Sequence, residues 1–300
     1  MRIVLSYLCI VLLLNSCKKS ENLGSVDDIP GLGGDTWGKG PIDTWIYSNL
    51  TKPFNISVKY KWDQFELELN KNLVPPMEEK IVPVMEAVKK VWIDTYIAEA
   101  GDVFMKTYCP KFFVLCGSAS WNTDGTITLG TAEGGRKIVL YVLNDFRTKA
   151  MADFRASDSM GIKQMFHTIE HEFGHILHQN VLYPDDYKRI TPGFYTANWN
   201  NVSDNAARRD GFVTAYAMSA PDEDFVEMIS SMLSGGSNGP SGGYDEYEAL
   251  LTQTGGPSSA GYKTIKAKEA VVVDYFQRVW NINFYALRAK CRSAFVNYLQ

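Results

Sequence analysis

The chain has 300 residues, 45% of them apolar and 13% aromatic, with a formal net charge of −4. That is enough apolar sequence for one substantial domain or two small ones around a buried core. The charge balance excludes a basic face of the kind that draws nucleic acid, and no internal repeat or low-complexity tract is visible.

Residues 1–16 read as an export leader. Arg2 supplies the positive end, and Ile3 to Leu14 is an almost unbroken apolar run, too short to span a bilayer as a stable helix. The run ends at Leu14-Asn15-Ser16-Cys17, which resembles the lipobox of bacterial lipoproteins and makes Cys17 the acylated residue at the mature N-terminus. Polar Lys18-Lys19-Ser20-Glu21 follows at once, as a membrane tether would, and 17–43, rich in Gly, Asp, Ser and Pro, extends it. An ordinary secretory peptide cut near Ser16 is the alternative, and Asn15 is unusual within a lipobox. Either way the chain leaves the cytoplasm. Beyond the leader, Cys109, Cys116 and Cys291 are odd in number and read better as buried free thiols than as a framework, although a Cys109–Cys116 bridge is open.

Alternation over Ile56 to Trp62 predicts a strand. Pro76, with Glu78-Glu79 behind it, opens a helix to about Ala100, and Pro83 marks a kink or the true start. Phe112 to Cys116 is a short strand. Thr126 to Leu129 and Lys137 to Leu143, around Gly130 and Gly134-Gly135, predict a hairpin. A helix is expected over 161–180, apolar at Ile162, Met165, Phe166, Ile169, Phe173, Ile176 and Leu177. A polar, aromatic-rich segment (181–211) follows, and apolar periodicity returns over Phe212 to Tyr216 and Glu223 to Leu233. The stretch 235–243 reads as a loop, and helices near 264–280 and 283–298 close the chain. The expected class is α+β, with a small β-sheet upstream of the 161–180 helix and a mostly helical C-terminal half, residues 44–300 forming one catalytic domain.

All four histidines fall between positions 167 and 178. In His171-Glu172-Phe173-Gly174-His175 the two outer imidazoles sit one helical turn apart on one face, about 6 Å from each other, and can chelate one metal ion. Zinc at such a site lowers the pKa of water toward about 7, and Glu172, beside the first ligand, is placed to take the proton. Gly174 costs about 1 kcal/mol in a helix interior, which suggests close backbone packing there. His167 and His178 lie one turn too far along the axis to join the same ion, so the third ligand comes from elsewhere. In Pro221-Asp222-Glu223-Asp224-Phe225-Val226-Glu227, a helix start, Glu223 and Glu227 share a face. Glu223 is the expected third ligand, and Glu227 the acid that fixes the tautomer of a ligating histidine. Tyr216 is a candidate hydrogen-bond donor to the oxyanion of a tetrahedral intermediate. Lys137 to Leu143 is the candidate edge strand for an extended substrate. Tyr195 and Trp199 are the candidate substrate-binding wall.

This arrangement, with Tyr216 seven residues ahead of Glu223 and Glu227 four residues after it, resembles the gluzincin pattern of anthrax lethal factor. Over nearly its whole length the chain also resembles a family of bacterial lipoproteins described as substrate-import-associated zinc metallohydrolases. Trp45-Ile46-Tyr47, Lys52-Pro53-Phe54-Asn55-Ile56 and Lys59-Tyr60-Lys61-Trp62 carry that likeness together with the lipobox. The resemblance implies a zinc peptidase anchored by lipid in the outer membrane beside a TonB-dependent nutrient importer, with a peptide or protein substrate. Surface exposure is preferred over the periplasmic face. Two other readings stay open: a zinc hydrolase of non-peptide amide or ester bonds, and a non-catalytic lipoprotein that binds an importer. Retention of Glu172 argues against the last, because a structural metal site needs no base there.

Overall fold

The computed structural model describes residues 38–299 apart from 64, 69, 124, 126, 129, 134–136, 150 and 235–244. The leader, Cys17, most of the expected tether, the expected loop 235–243 and Gly134-Gly135 lie outside these residues. The chain divides into residues 1–40 and 41–300, and the fold is that of the second unit. Among the described residues, no helix is long and apolar enough to cross a membrane.

The first helix, α1, covers residues 41–54 and starts inside the expected tether, at Pro41, with Asp43 in the first turn. A proline at the first position is pre-set for helix, and an acid there complements the dipole. Asn55, with φ of 56°, ends the helix in the left-handed conformation that asparagine tolerates. Strand β1 (Ser57–Lys59) is shorter than expected. Helix α2 runs over 78–100, with a π-helical middle at Val88–Ile93, and Pro83 lies inside it and is not its start. A further helix, α3 (Asp102–Tyr108), fills a stretch for which no element was expected.

The sheet is built from β1, β2 (Phe112–Leu115), β5 (Gly130–Glu133) and β6 (Lys137–Leu140), in the order β1-β2-β6-β5. The first three are parallel, and β5 runs antiparallel to β6 with Gly130 opposite Leu140. Two expectations are corrected here. The hairpin partner of β6 is β5, while Ile127–Thr128 (β4) pairs with Ser120–Trp121 (β3). Lys137 to Leu140 is also an interior strand, buried at every position and flanked by β2 and β5. Its unbroken Ile138-Val139-Leu140 run is the composition of a strand covered on both faces. The edge beside the motif helix is β5. Its first residue approaches that helix so closely that a Cβ on Gly130 would stand 2.2 Å from Thr168 Cγ2.

The motif helix, α4 (Asp158–Asn180), begins three residues before its expected start. Its apolar face sends Phe173 into an aromatic cluster, with ring centroids 5.1 Å from Trp92, 5.1 Å from Tyr96 and 6.2 Å from Phe104, all edge-on. The remaining helices are α5 (Asp204–Arg209), α6 (Pro221–Ser234), α7 (Glu246–Thr252), α8 (Ala260–Trp280) and α9 (Phe284–Leu299). The molecule is α+β, with a small sheet ahead of the motif helix and a helical C-terminal half. Cys109, Cys116 and Cys291 are buried free thiols.

Candidate metal centre

Helix α4 supplies the two histidines and α6 the carboxylates, so the site depends on how closely these helices approach. Gly174 decides that. A methyl group added there would stand 3.0 Å from Val226 Cγ1 and 3.5 Å from Ile229 Cδ1, both on α6. The glycine sits where any larger side chain would push α6 away.

With the helices in contact, Glu223 Oε2 stands 3.2 Å from His171 Nε2 and 3.4 Å from His175 Nε2. These three atoms lie within 4.8 Å of one another. The oxygen is buried yet makes no hydrogen bond of acceptable geometry. Three metal-ligating atoms that converge with no well-formed hydrogen bond to the carboxylate oxygen fit a shared cation, and two imidazoles with one carboxylate form a zinc ligand set that leaves a position open. Burial would raise the Glu223 carboxyl, but the adjoining His171 and His175 hold it well below the usual carboxylate range. Burial likewise opposes protonation of His171, but the Glu223 and Glu227 carboxylates outweigh it and drive the imidazole up to about 10. The bare ring is therefore a cation, and a metal entering here must displace its proton.

The outer faces of both imidazoles are held as well. His171 Nδ1 donates to Glu227 Oε1 at 2.8 Å, which leaves Nε2 for the metal side. Glu227 is buried and takes two more contacts, from His167 Nε2 at 2.9 Å and from the Thr214 hydroxyl at 2.7 Å. Despite that burial, His167 and His171 keep its carboxyl well below the usual range. His175 Nδ1 stands 3.0 Å from His178 Nε2. Burial, with His175 beside it, pushes His178 down to about 4, so its neutral ring can accept a hydrogen bond from His175 Nδ1. One imidazole thus leans on an anion and the other on a neutral ring. His167 and His171 also converge on Glu227, but there both rings already hydrogen-bond the carboxylate, which sets His167, like His178, beside the His171, His175 and Glu223 cluster.

The site opens on a cleft of about 640 Å³ lined by His171, Glu172, Thr214, Tyr216, Trp199 and, across from them, Ile127, Thr128 and Gly130. Glu172 is 7% exposed and faces this cleft beside His171. Tyr216 is half-exposed, its ring 5.8 Å from that of His171 and edge-on to Trp199 at 5.0 Å. Burial and the neighbouring Glu223 carboxylate raise its hydroxyl well above the ordinary phenol range, so it stays a proton donor. Of the two expected wall residues, Trp199 lines the cleft and Tyr195 does not. The Tyr195 hydroxyl donates to Asp224 Oδ2 at 2.9 Å, and its ring packs edge-on to Phe212 at 5.4 Å. Tyr195 belongs to the packing beneath α6, a correction that aromatic composition alone could not supply. Thr214 went unremarked in the sequence because a lone threonine carries no spacing signal.

A family model described as "Putative zinc-binding metallo-peptidase" matches residues 35–285. A crystal structure from Bacteroides caccae, of a protein carrying the same description, is 31% identical to this chain. It covers 89% of this chain and 98% of its own, with a TM-score of 0.68. No curated protein matches.

Proposed function

The chain belongs to this family of zinc-binding metallo-peptidases, and from that premise we propose that it cleaves peptide bonds with zinc held by His171, His175 and Glu223. The observation that carries the reading is the convergence of those three side chains beside a cleft that His171 lines together with Glu172 and Tyr216. When bound, zinc supplies the Lewis acidity that makes water a nucleophile near neutral pH. Glu172 takes the proton from the attacking water and delivers it to the leaving amine. The Tyr216 hydroxyl donates a hydrogen bond to the oxygen on which charge develops. Glu227 and His178 keep the two imidazoles turned with Nε2 inward. Strand β5 is the sheet edge that borders the cleft, and an extended substrate backbone pairs with it while Trp199 packs a side chain.

The pattern His171-Glu172-Phe173-Gly174-His175, with Glu223 on the second helix, makes the site gluzincin-like. Hydrolysis of a non-peptide amide or ester would use the same groups, but the position of β5 at the end of the sheet favours a peptide, because an edge strand can recognise backbone. The experiment is to assay Glu172→Gln against wild type on a diverse peptide library and on simple amides and esters. The variant should hold zinc and lose about 10²–10⁴-fold in cleavage. If it cleaves peptides like wild type, the base assignment fails; if wild type cleaves only esters, the peptidase reading fails.

Residues 1–43 carry the rest of the proposal. Cys17 bears lipid, anchors the protein in the outer membrane facing outward, and sets the peptidase beside a TonB-dependent importer, as the leader and the lipoprotein resemblance support. Cys17→Ser should release the domain from membranes; retention of that variant would refute the anchor.

A further inference from the structure

Lys268 lies in the middle of the buried face of α8, with Ile265 before it and Val272 after it, and it is 0% exposed. Its ammonium donates to the Gly211 carbonyl at 2.9 Å, stands 2.6 Å from Asp224 Oδ2 and caps the Phe212 ring at 3.7 Å. Asp224 is equally buried and also takes the Tyr195 hydroxyl, while Tyr187 donates to its backbone carbonyl at 2.9 Å. A buried ion pair is often no more stabilising than well-packed apolar side chains, since removing both charges from water costs about what their attraction returns. Core cohesion alone does not account for it.

What the pair adds is location. Gly211 begins the segment that carries Thr214 and Tyr216, and Asp224 follows Glu223 directly. The first residue of that segment and the end of α5 just before it also lie close against α8. A Cβ on Gly211 would stand 2.3 Å from Thr264 Cγ2, and one on Gly261 would stand 2.4 Å from the Arg208 carbonyl. Gly211, at φ of +93°, also adopts a conformation that other residues rarely take. One buried cation therefore ties two separate stretches of chain to a common point, one bearing Tyr216 and the other Glu223.

We propose that Lys268 is a positioning residue of the metal centre, fixing the Tyr216 segment and the first turn of α6 relative to each other so that Glu223 reaches both histidines. This rests on the reading of His171, His175 and Glu223 as the zinc ligands. The test uses the whole mature chain carrying Lys268→Met, and Lys268→Met with Asp224→Asn. Three quantities are measured: zinc affinity by chelator competition, melting temperature without metal, and amide exchange over 211–225. The single variant strands the Asp224 charge and should lose both stability and zinc affinity. The double variant removes that charge, so its melting temperature should return close to wild type. Its zinc affinity should stay roughly tenfold weaker, and exchange should quicken over 212–218 and 221–225. Wild-type zinc affinity in the double variant would overturn the proposal and leave the pair a matter of folding alone. Glu223→Ala is run alongside. If that variant binds zinc like wild type, the ligand reading fails by itself, and Lys268 is judged on exchange, where wild-type protection over 212–218 would overturn its role.

Discussion

Two buried glutamates lie on opposite faces of the motif helix, and they behave oppositely. Glu227, on α6, faces His167, His171 and Thr214 and stays ionised. Glu170, on α4 itself, points the other way into the core, where it meets the Tyr96 hydroxyl at 2.7 Å and Cys291 Sγ at 3.8 Å. Burial pushes Glu170 up to about 8, and its neutral donors pull back too weakly to prevent it. The two are equally hidden from water, at 3% and 4% exposure, so depth does not decide their charge. Cationic partners do. One face of the helix is built to hold charge and the other to refuse it, and the metal belongs to the first.

The largest expected effect lies on the charged side. Glu227→Gln should weaken zinc binding by roughly 10–100-fold, because the His171 ring loses the anion that sets its tautomer. It should also destabilise the metal-free protein by about 3 kcal/mol or more, because a protonated His171 is left against a neutral amide. Chelator competition and denaturant titration measure the two effects; unchanged values for Glu227→Gln would erase the contrast.

On the neutral side the expected effect is on stability alone, with none on zinc affinity, and it depends on pH. The folded-state pKa of Glu170 lies above its unfolded value of 4.5. Below that value both states are protonated and no penalty exists. As pH rises toward about 8 the unfolded chain ionises while the folded one keeps its proton, so stability falls, by up to about 1.4 kcal/mol per pH unit. Glu170→Gln should remove that slope and leave zinc affinity near wild type. The check is melting temperature against pH between 5 and 8 for both proteins, and an unaltered slope in the variant would contradict the assignment.

The smallest effect concerns the contact that joins the halves of the site. Gly174→Ala gains helix propensity yet must push Val226 aside by a few tenths of an ångström. A net cost of about 1 kcal/mol is expected, with zinc affinity falling a few-fold as α6 moves. Tighter zinc binding in this variant would show that the helices are not held at their closest useful distance.

The motif helix was legible because two independent signals agreed on it. Its apolar period ran from Ile162 to Leu177, and its polar face gathered histidines at metal-ligating spacing. Glu223 and Glu227 were legible only through that motif, since an acidic helix start is common in itself. The sheet order was not legible, because Lys137 to Leu140 follows Gly130 to Glu133 in the chain but lies inside it in space. Short strands such as Ile127–Thr128 carry too few residues to show a period. Tyr195 and Trp199 share one segment and differ only in which way they point, a property of tertiary packing. Lys268 did leave a trace, a lone cation at the centre of an apolar helical stripe, which gains its meaning once Asp224 is seen opposite it.

X-ray absorption at the zinc edge of the loaded protein tests the ligand set most directly. The structure predicts one zinc per chain bound by two imidazoles at about 2.0–2.1 Å and otherwise by oxygen, since His167 and His178 face Glu227 and His175 rather than the ion. A spectrum that requires three imidazoles, or one that shows the same zinc shell in His171→Ala, would contradict the assignment of His171, His175 and Glu223.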